Sequence, residues 1–177
     1  MKNRIILILV TGLVQSMQVP IMVNATVVML PEFEMKKMLE AIVKYKITDV
    51  GLVPPLAIRL VRDAIVKEYD LSHVRKFSSG AAPLSNEIIQ EIHRRFPQAF
   101  LRQGYGMTES CSCLVSIPSP LWEFTKDIEY GPSVGMICPS TTLKIVDENG
   151  NELGLNQPGE ILGKGPQVRM TALFLGH

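Results

Sequence analysis

Apolar and polar positions follow two different periods along the first two thirds of the chain. Three segments repeat apolar residues every three to four positions, which predicts amphipathic helices: "EFEMKKMLEAIVKYK", "LAIRLVRDAIVKEY" and "SNEIIQEIHRRF". Ser85 opens the third segment and is placed to cap it. Three shorter runs lie beside these helices and predict strands: "ITDVGLVP", "HVRKFSSG" and "AFLRQGYG". This alternation, from about residue 26 to about residue 110, favours βαβ units and a parallel sheet.

The pattern changes after Thr125. "TTLKIVDENGNELGL" reads as two alternating stretches around Asn149-Gly150, a strong hairpin signal, and "GEILGKGPQV" continues in short β-like pieces. The predicted fold class is therefore α/β. A partial, mostly parallel sheet with flanking helices covers residues ~20–125, and a small antiparallel β section covers residues ~130–170.

The N-terminal region has two interpretations. Lys2 and Arg4 precede an apolar run, Ile5–Val14, which resembles a signal or anchoring segment. However, no small-x-small cleavage site follows, and the run is too short to span a bilayer. A second apolar run, Ile21–Leu30, comes soon after, so we favour a buried helix and then a buried strand. Membrane association stays open, a cytoplasmic location is the default, and the terminal "LGH" is no peroxisomal signal.

Composition narrows the function classes. The chain has 177 residues, of which 46% are hydrophobic, so a single folded domain with a real core is expected. Its net charge is +1, and the charges are scattered without a basic run, which argues against nucleic acid as the main partner. Cys111, Cys113 and Cys138 are too few for a disulfide framework and lack common zinc spacing, so we expect buried or half-buried free thiols.

Several segments resemble known binding motifs but do not have the residue spacing that those motifs require. "GEILGKG" at 159–165 lacks the four intervening residues and the Ser/Thr of a phosphate loop. "DENGNE" at 147–152 has its glycine at the wrong place for a calcium loop and is interpreted as a hairpin turn. The three histidines, His73, His93 and His177, are far apart, so no catalytic or metal role is expected for them.

Two loops carry better candidate chemistry, "FSSGAAPLS" at 77–85 and "RQGYGMTES" at 102–110. Each follows a predicted parallel strand, where ligands bind in open α/β sheets. Tyr105 offers an aromatic face for a base, the Thr108 hydroxyl can bond a phosphate oxygen, and the Glu109 carboxylate suits Mg²⁺. The alternative is that both are ordinary strand-to-helix turns, with Thr108 as a helix cap.

The order and spacing of "SSGAAPLS", "QGYGMTES" and "GEILGKGPQV" resemble the adenylate-forming superfamily. The likeness spans roughly residues 20–170, and "VPP", "YDLSHVRKFSSGAAPLS" and "NQPGEI" are most similar to the 4-coumarate–CoA-ligase-like branch of acyl-CoA synthetases. Members activate a carboxylic acid with ATP to an acyl-adenylate and transfer the acyl group to CoA. The resemblance therefore implies ATP/AMP, Mg²⁺ and CoA as cofactors and a small-molecule acid as the other partner.

The resemblance also implies roles for particular residues. Gly80, Ala81 and Ala82 would line the adenine and acyl sites. Thr108 would bind phosphate and Glu109 would hold Mg²⁺, as the two catalytic positions. The remaining expected nucleotide-binding positions are consecutive: Gln103, Gly104, Tyr105, Gly106 and Met107.

Departures from the family pattern qualify this interpretation. The family's phosphate-gripping loop and its C-terminal domain are not found, "RGP" is replaced by Lys164-Gly165-Pro166, and "RMTALFLGH" follows Val168. Residues 1–177 are thus interpreted as one partial AMP-dependent synthetase/ligase domain. We expect a fragment of a carboxylate–CoA ligase that is inactive by itself. The alternative is a truncated paralogue that keeps only the fold or a remnant AMP pocket. The acyl substrate is left open.

Overall fold

The computed structural model describes the backbone of residues 4–7 and all atoms of residues 18–118 and 133–168. The strands are β1 (Arg4–Leu7), β2 (Thr26–Met29), β3 (Asp49–Leu52), β4 (Lys76–Ser79), β5 (Phe100–Tyr105), β6 (Val115–Ser116), β7 (Met136–Ile137), β8 (Thr142–Val146) and β9 (Glu160–Lys164). The α-helices are α1 (Val19–Met22), α2 (Met35–Lys44), α3 (Pro54–Arg62) and α4 (Asn86–Arg95). The described residues also contain two 3₁₀ turns, Ala64–Glu68 and Thr108–Ser110.

The three longer helices lie where the sequence pattern predicts them, but the bounds of α3 differ. It begins at Pro54, two residues before the predicted segment, and ends at Arg62, so the predicted continuation is a 3₁₀ turn, Ala64–Glu68. Pro54 and Pro55 open α3, because proline fits the first helical turn and lacks only an amide that the helix would leave unbonded. Ser85 caps α4, since its Oγ accepts a hydrogen bond from the Ile88 amide at 3.4 Å. Each helix buries one apolar stripe, so the predicted helical periods are confirmed.

The sheet has the strand order β2-β1-β3-β4-β5-β6-β7. The first five strands pair in parallel, and β5-β6 and β6-β7 pair antiparallel. The predicted α/β class with a mostly parallel sheet is therefore confirmed. Parallel pairing brings the carboxyl ends of β4 and β5 to the same edge, which is where both candidate loops leave the sheet.

The core lies between the sheet and the longer helices. Alternate residues of β3, β4 and β5 face it, including Val50, Phe77 and Leu101. The Phe77 ring packs on Phe96 with centroids 5.1 Å apart. Burying one such large apolar side chain stabilises the fold by about 1.5–3 kcal/mol. This packing holds the strand ends that carry the candidate site.

The N-terminal region differs from expectation. Arg4–Leu7 forms a strand between β2 and β3, so the helix predicted from residue 5 and the sheet start near residue 20 are wrong there. A short apolar run fits a helix and a strand equally by periodicity, and sheet position decided between them. Residues 8–14 of that run lie outside the described residues.

The second apolar run is not a buried strand over its length. It forms α1 and then β2, the edge strand, and Ile21, Met22 and Met29 are 75–83% exposed. Within the described part of the chain, no helix is both long enough and apolar enough to cross a bilayer.

The small antiparallel section is confirmed, with one change of pairing. The turn at Asn149-Gly150 forms, and Gly150 takes the left-handed φ of +83° that glycine tolerates. The Asp147 carboxylate accepts hydrogen bonds from the Asn149 and Asn151 amides at 2.9 and 2.8 Å, and these bonds stabilise the turn. However, the main partner of β8 is β9, not the segment directly after the turn.

Candidate functional site

The two candidate loops meet at the carboxyl edge of the sheet. Ser79 and Gln103 are paired in register as the last shared position of β4 and β5. One residue beyond, a Cβ on Gly80 would lie 3.9 Å from the Gly104 carbonyl oxygen. Two motifs that are 24 residues apart in sequence (104 − 80) thus lie side by side.

The loop after β4 presents small residues to solvent. Ala81 and Ala82 are exposed, and Leu84 is buried and anchors the loop. Ala81 adopts a left-handed φ of +70°, a conformation that costs about 1–2 kcal/mol for a residue with a Cβ. Backbone strain of this kind often accompanies ligand-contacting turns.

Buried polar groups lie beneath the strand ends. Gln103 is 4% exposed, and its side-chain amide donates to the Ser133 carbonyl at 3.4 Å. Ser79 is 7% exposed, and its hydroxyl has no hydrogen-bond partner among the described residues. Sequence reasoning named Gln103 but missed Ser133, which is 30 residues away.

Two glycines, Gly104 within β5 and Gly106 directly after it, have a packing role. A Cβ on Gly106 would lie 1.5 Å from the Ser112 carbonyl oxygen, and one on Gly104 would lie 3.2 Å from the Val115 carbonyl oxygen. The loop from residue 106 to residue 113 folds back onto the end of β5 and leaves no room there for a side chain. The ring of Tyr105 and the side chain of Met107 are half-buried on the same loop.

Thr108 and Glu109 project from this loop into solvent. The Glu109 carboxylate makes no hydrogen bond or ion pair with the described residues, and the Ser110 hydroxyl instead fixes the loop by bonding the Met107 amide at 3.1 Å. Thr108 is not a cap, because the capping position is Met107. Only the 3₁₀ turn Thr108–Ser110 follows β5, whereas the loop after β4 runs into α4. The alternative of a strand-to-helix turn therefore describes the first loop but not the second.

A positive charge on β5 and a thiol just before β6 lie near each other. Arg102 donates from Nε to the Ser116 hydroxyl at 2.7 Å. The Cys113 thiol donates to the Val115 carbonyl at 3.0 Å, and burial, with a smaller contribution from nearby Cys138, raises its pKa to about 11. Cys113 therefore stays protonated at neutral pH.

The other reactive residues are placed as follows. All three cysteines are free; Cys113 and Cys138 are half-buried as expected, whereas Cys111 is exposed, contrary to expectation. His93 is exposed and His73 bonds the Ile42 carbonyl at 3.0 Å. His177 lies outside the described residues. Among the described residues, no three His, Cys, Asp or Glu side chains converge as a metal site.

Comparison with known proteins gives the family. A family profile described as "AMP-binding enzyme" matches residues 7–171. The chain belongs to the AMP-binding enzyme family. It is 41% identical to 4-coumarate–CoA ligase 2 of Oryza sativa subsp. japonica over 146 residues, and 42% identical to 4-coumarate–CoA ligase 3 of Arabidopsis thaliana over 148 residues. The alignments cover 82% of this chain and 25% and 26% of those relatives.

Solved structures of this family have the same fold. ATP-bound MatB from Rhodopseudomonas palustris superposes with a TM-score of 0.79 at 29% identity, covering 94% of this chain and 32% of that one. The O-succinylbenzoate coenzyme A synthetase MenE from Bacillus subtilis, in complex with ATP and magnesium, gives a TM-score of 0.76 at 25% identity. That alignment covers 96% of this chain and 34% of MenE. The chain spans about a quarter of the length of the curated relatives it matches.

Proposed function

We propose that this chain forms the floor of an acyl-adenylate site in a carboxylate–CoA ligase. The observation that carries the proposal is the pairing of β4 with β5 up to Ser79 and Gln103, which brings the two motif loops together at the edge of the sheet where α/β proteins bind ligands. The likeness to 4-coumarate–CoA ligases and the ATP-bound relatives supports the same assignment.

In this proposal the loop after β4 binds the flat parts of the adenylate. Gly80, Ala81 and Ala82 expose backbone and small side chains, so a planar ring can approach closely. The half-buried Tyr105 supplies an aromatic face on which adenine stacks, a contact worth about 1–3 kcal/mol per base. Gln103 contributes through its backbone, because its amide is already bonded to the Ser133 carbonyl.

The exposed end of the second loop binds the phosphates. The Thr108 hydroxyl donates to a phosphate oxygen, and the Glu109 carboxylate is available because no described residue pairs with it. One free carboxylate fits Mg²⁺, which is commonly held by one or two carboxylates together with substrate phosphates and waters. When bound, the ion neutralises negative charge that develops on those phosphates.

The reaction assigned to the whole enzyme has two halves. The acid's carboxylate attacks the α-phosphate of ATP, which gives an acyl-adenylate and pyrophosphate, and the CoA thiol then displaces AMP. This chain's residues hold the adenylate, orient its phosphate and fix the position of Glu109. They do not define the acid, so the acyl substrate is not part of the proposal.

Binding of AMP to the 177-residue chain tests whether the pocket is usable. Isothermal titration calorimetry should show saturable binding that Tyr105→Ala weakens. Tyr45→Ala is the matched control, because Tyr45 lies at the end of α2 and not at the strand ends. Absence of binding by a chain shown to be folded would favour the alternative, a product that keeps only the fold.

A segment exchange tests the catalytic part of the proposal. The aligned region of the Oryza sativa relative is replaced by the matching residues of this chain, and both half-reactions are measured. A chimera that forms acyl-adenylate supports competent site residues. A folded chimera that binds AMP but forms no adenylate would mean that the pocket is a remnant.

A further inference from the structure

Two thiols approach each other beside the candidate site. The Sγ atoms of Cys113 and Cys138 are 3.9 Å apart, and both side chains are half-buried. We propose that Cys113 and Cys138 form a site of reversible oxidation, where they close to an intramolecular disulfide. The site does not depend on nucleotide binding, so this inference stands independently of the proposed function.

Backbone pairing holds the two cysteines together. Cys113 precedes β6 by two residues, and Cys138 directly follows β7. The Cys138 amide donates to the Leu114 carbonyl at 2.9 Å, which continues the β6-β7 ladder towards the thiols. A disulfide needs a sulfur separation of about 2.0 Å, so the sulfurs must close by roughly 2 Å. Rotation about the side-chain bonds supplies movement of this kind.

The environment distinguishes the two thiols. Cys113 donates its proton to the Val115 carbonyl, and burial together with Cys138 keeps the pKa of Cys113 at about 11 despite the opposing effect of Arg102. Cys113 is therefore a poor first nucleophile at neutral pH, because the thiolate is the reactive form. Because the Val115 carbonyl holds the Cys113 proton at a donor–acceptor distance of 3.0 Å, the first attack is assigned to Cys138.

With a small disulfide such as glutathione disulfide as the oxidant, the chemistry balances. The Cys138 thiol loses its proton, attacks one glutathione sulfur and breaks the glutathione S–S bond, so that one glutathione thiol leaves with a proton. The Cys113 sulfur then attacks Cys138 Sγ, the protein–glutathione bond breaks, and the second glutathione thiol leaves with the Cys113 proton. Two electrons pass from the protein to the oxidant.

Formation of the disulfide would change the packing at the end of β5. A Cβ on Gly104 would lie 3.4 Å from Cys113 Sγ, so the sulfur packs against the backbone of that glycine. Closing the disulfide moves this sulfur and links the segment before β6 to the segment after β7.

Peptide mapping of the folded full chain tests the proposal. The chain is incubated with glutathione disulfide, remaining thiols are alkylated, and trypsin is added. Cleavage after Arg102, Lys126 and Lys144 separates Cys138 from the other two cysteines. We expect peptide 103–126 linked to peptide 127–144, a fall from three free thiols to one, and recovery of all three with dithiothreitol.

Two serine variants show whether Cys111 or Cys113 of peptide 103–126 forms the disulfide with Cys138. Cys111→Ser removes the exposed thiol and should leave the linked peptide unchanged, whereas Cys113→Ser should abolish it. Unfolded chain in concentrated guanidinium is the control, and it should give mixed pairings that include Cys111–Cys113. Loss of the link in Cys111→Ser, links between separate chains only, or full alkylation of both Cys113 and Cys138 in the folded chain would each overturn the proposal.

Discussion

The loops after β4 and β5 each begin with a glycine but differ in how much space surrounds it. Around Gly80, the nearest atom to an added Cβ is 3.9 Å away, an ordinary van der Waals distance. Around Gly106, the Ser112 carbonyl oxygen occupies the place of the Cβ, at 1.5 Å. Gly80 therefore leaves room that a ligand could fill, whereas the room beside Gly106 is filled by the protein's own backbone.

This difference separates two reasons for glycine within one candidate site. The first loop leaves room for a ligand to approach, because Ala81 and Ala82 are small and exposed. The second loop is shaped by close packing, and that packing positions Tyr105, Thr108 and Glu109. A change in the first loop should therefore act on binding, and a change in the glycines of the second should act on folding.

Paired alanine substitutions test this difference most strongly. Gly106→Ala places a methyl group into backbone and should lower the free energy of unfolding by about 3 kcal/mol or more. Gly80→Ala has room and should change stability by less than about 1 kcal/mol, while AMP affinity falls. Urea denaturation measures the change in stability of both variants, and calorimetry measures the AMP affinity of Gly80→Ala. Equal losses of stability would remove the distinction between the loops.

Replacing Glu109 tests what the packed loop presents. Glu109→Gln keeps the shape and removes the charge, so in a chimera that forms adenylate the pyrophosphate-releasing half-reaction should slow by about 2–4 kcal/mol in barrier. Thioester formation from supplied acyl-adenylate has no pyrophosphate to stabilise and should change much less. Glu68→Gln, at an exposed carboxylate elsewhere, is the control. A small and equal loss in both half-reactions would contradict the metal-binding role.

Much of this arrangement is predictable from local sequence, and the exceptions have physical reasons. Helices α2 and α4, most of α3, and β3 to β5 follow from their two hydrophobic periods, and the Ser85 cap follows from its position. The strand at Arg4–Leu7 was missed because a short apolar run has no diagnostic period. The Gln103–Ser133 bond and the β8-β9 pairing join residues far apart in sequence, which local patterns do not encode.

Substitution of Tyr105 tests whether this residue provides a surface on which the nucleotide stacks. Tyr105→Ala should weaken AMP binding by about 1–3 kcal/mol, because the stacking surface is lost. Tyr105→Phe keeps the ring and should weaken it little. Calorimetry on folded variants measures both. Equal weakening by the two substitutions would show that the hydroxyl matters and the ring face does not.

The smallest expected effect concerns Ser79, which ends β4 and pairs with Gln103 of β5. Its buried hydroxyl has no partner among the described residues, and an unsatisfied buried group costs about 1–3 kcal/mol. Ser79→Ala removes that group and leaves little space behind, so the ligand-free chain should become more stable by about 0.5–1 kcal/mol.

Ser78→Ala is the matched control on the opposite face of β4, where the hydroxyl is half-buried, and it should leave stability within about 0.5 kcal/mol. Calorimetry then measures AMP affinity. If the nucleotide supplies the missing hydrogen-bond partner, Ser79→Ala should make the ligand-free chain more stable but weaken AMP binding. A Ser79→Ala chain that is clearly less stable than the parent would mean that the hydroxyl is already bonded without ligand, and Ser79 would then belong to the packing of the strands and not to the binding site.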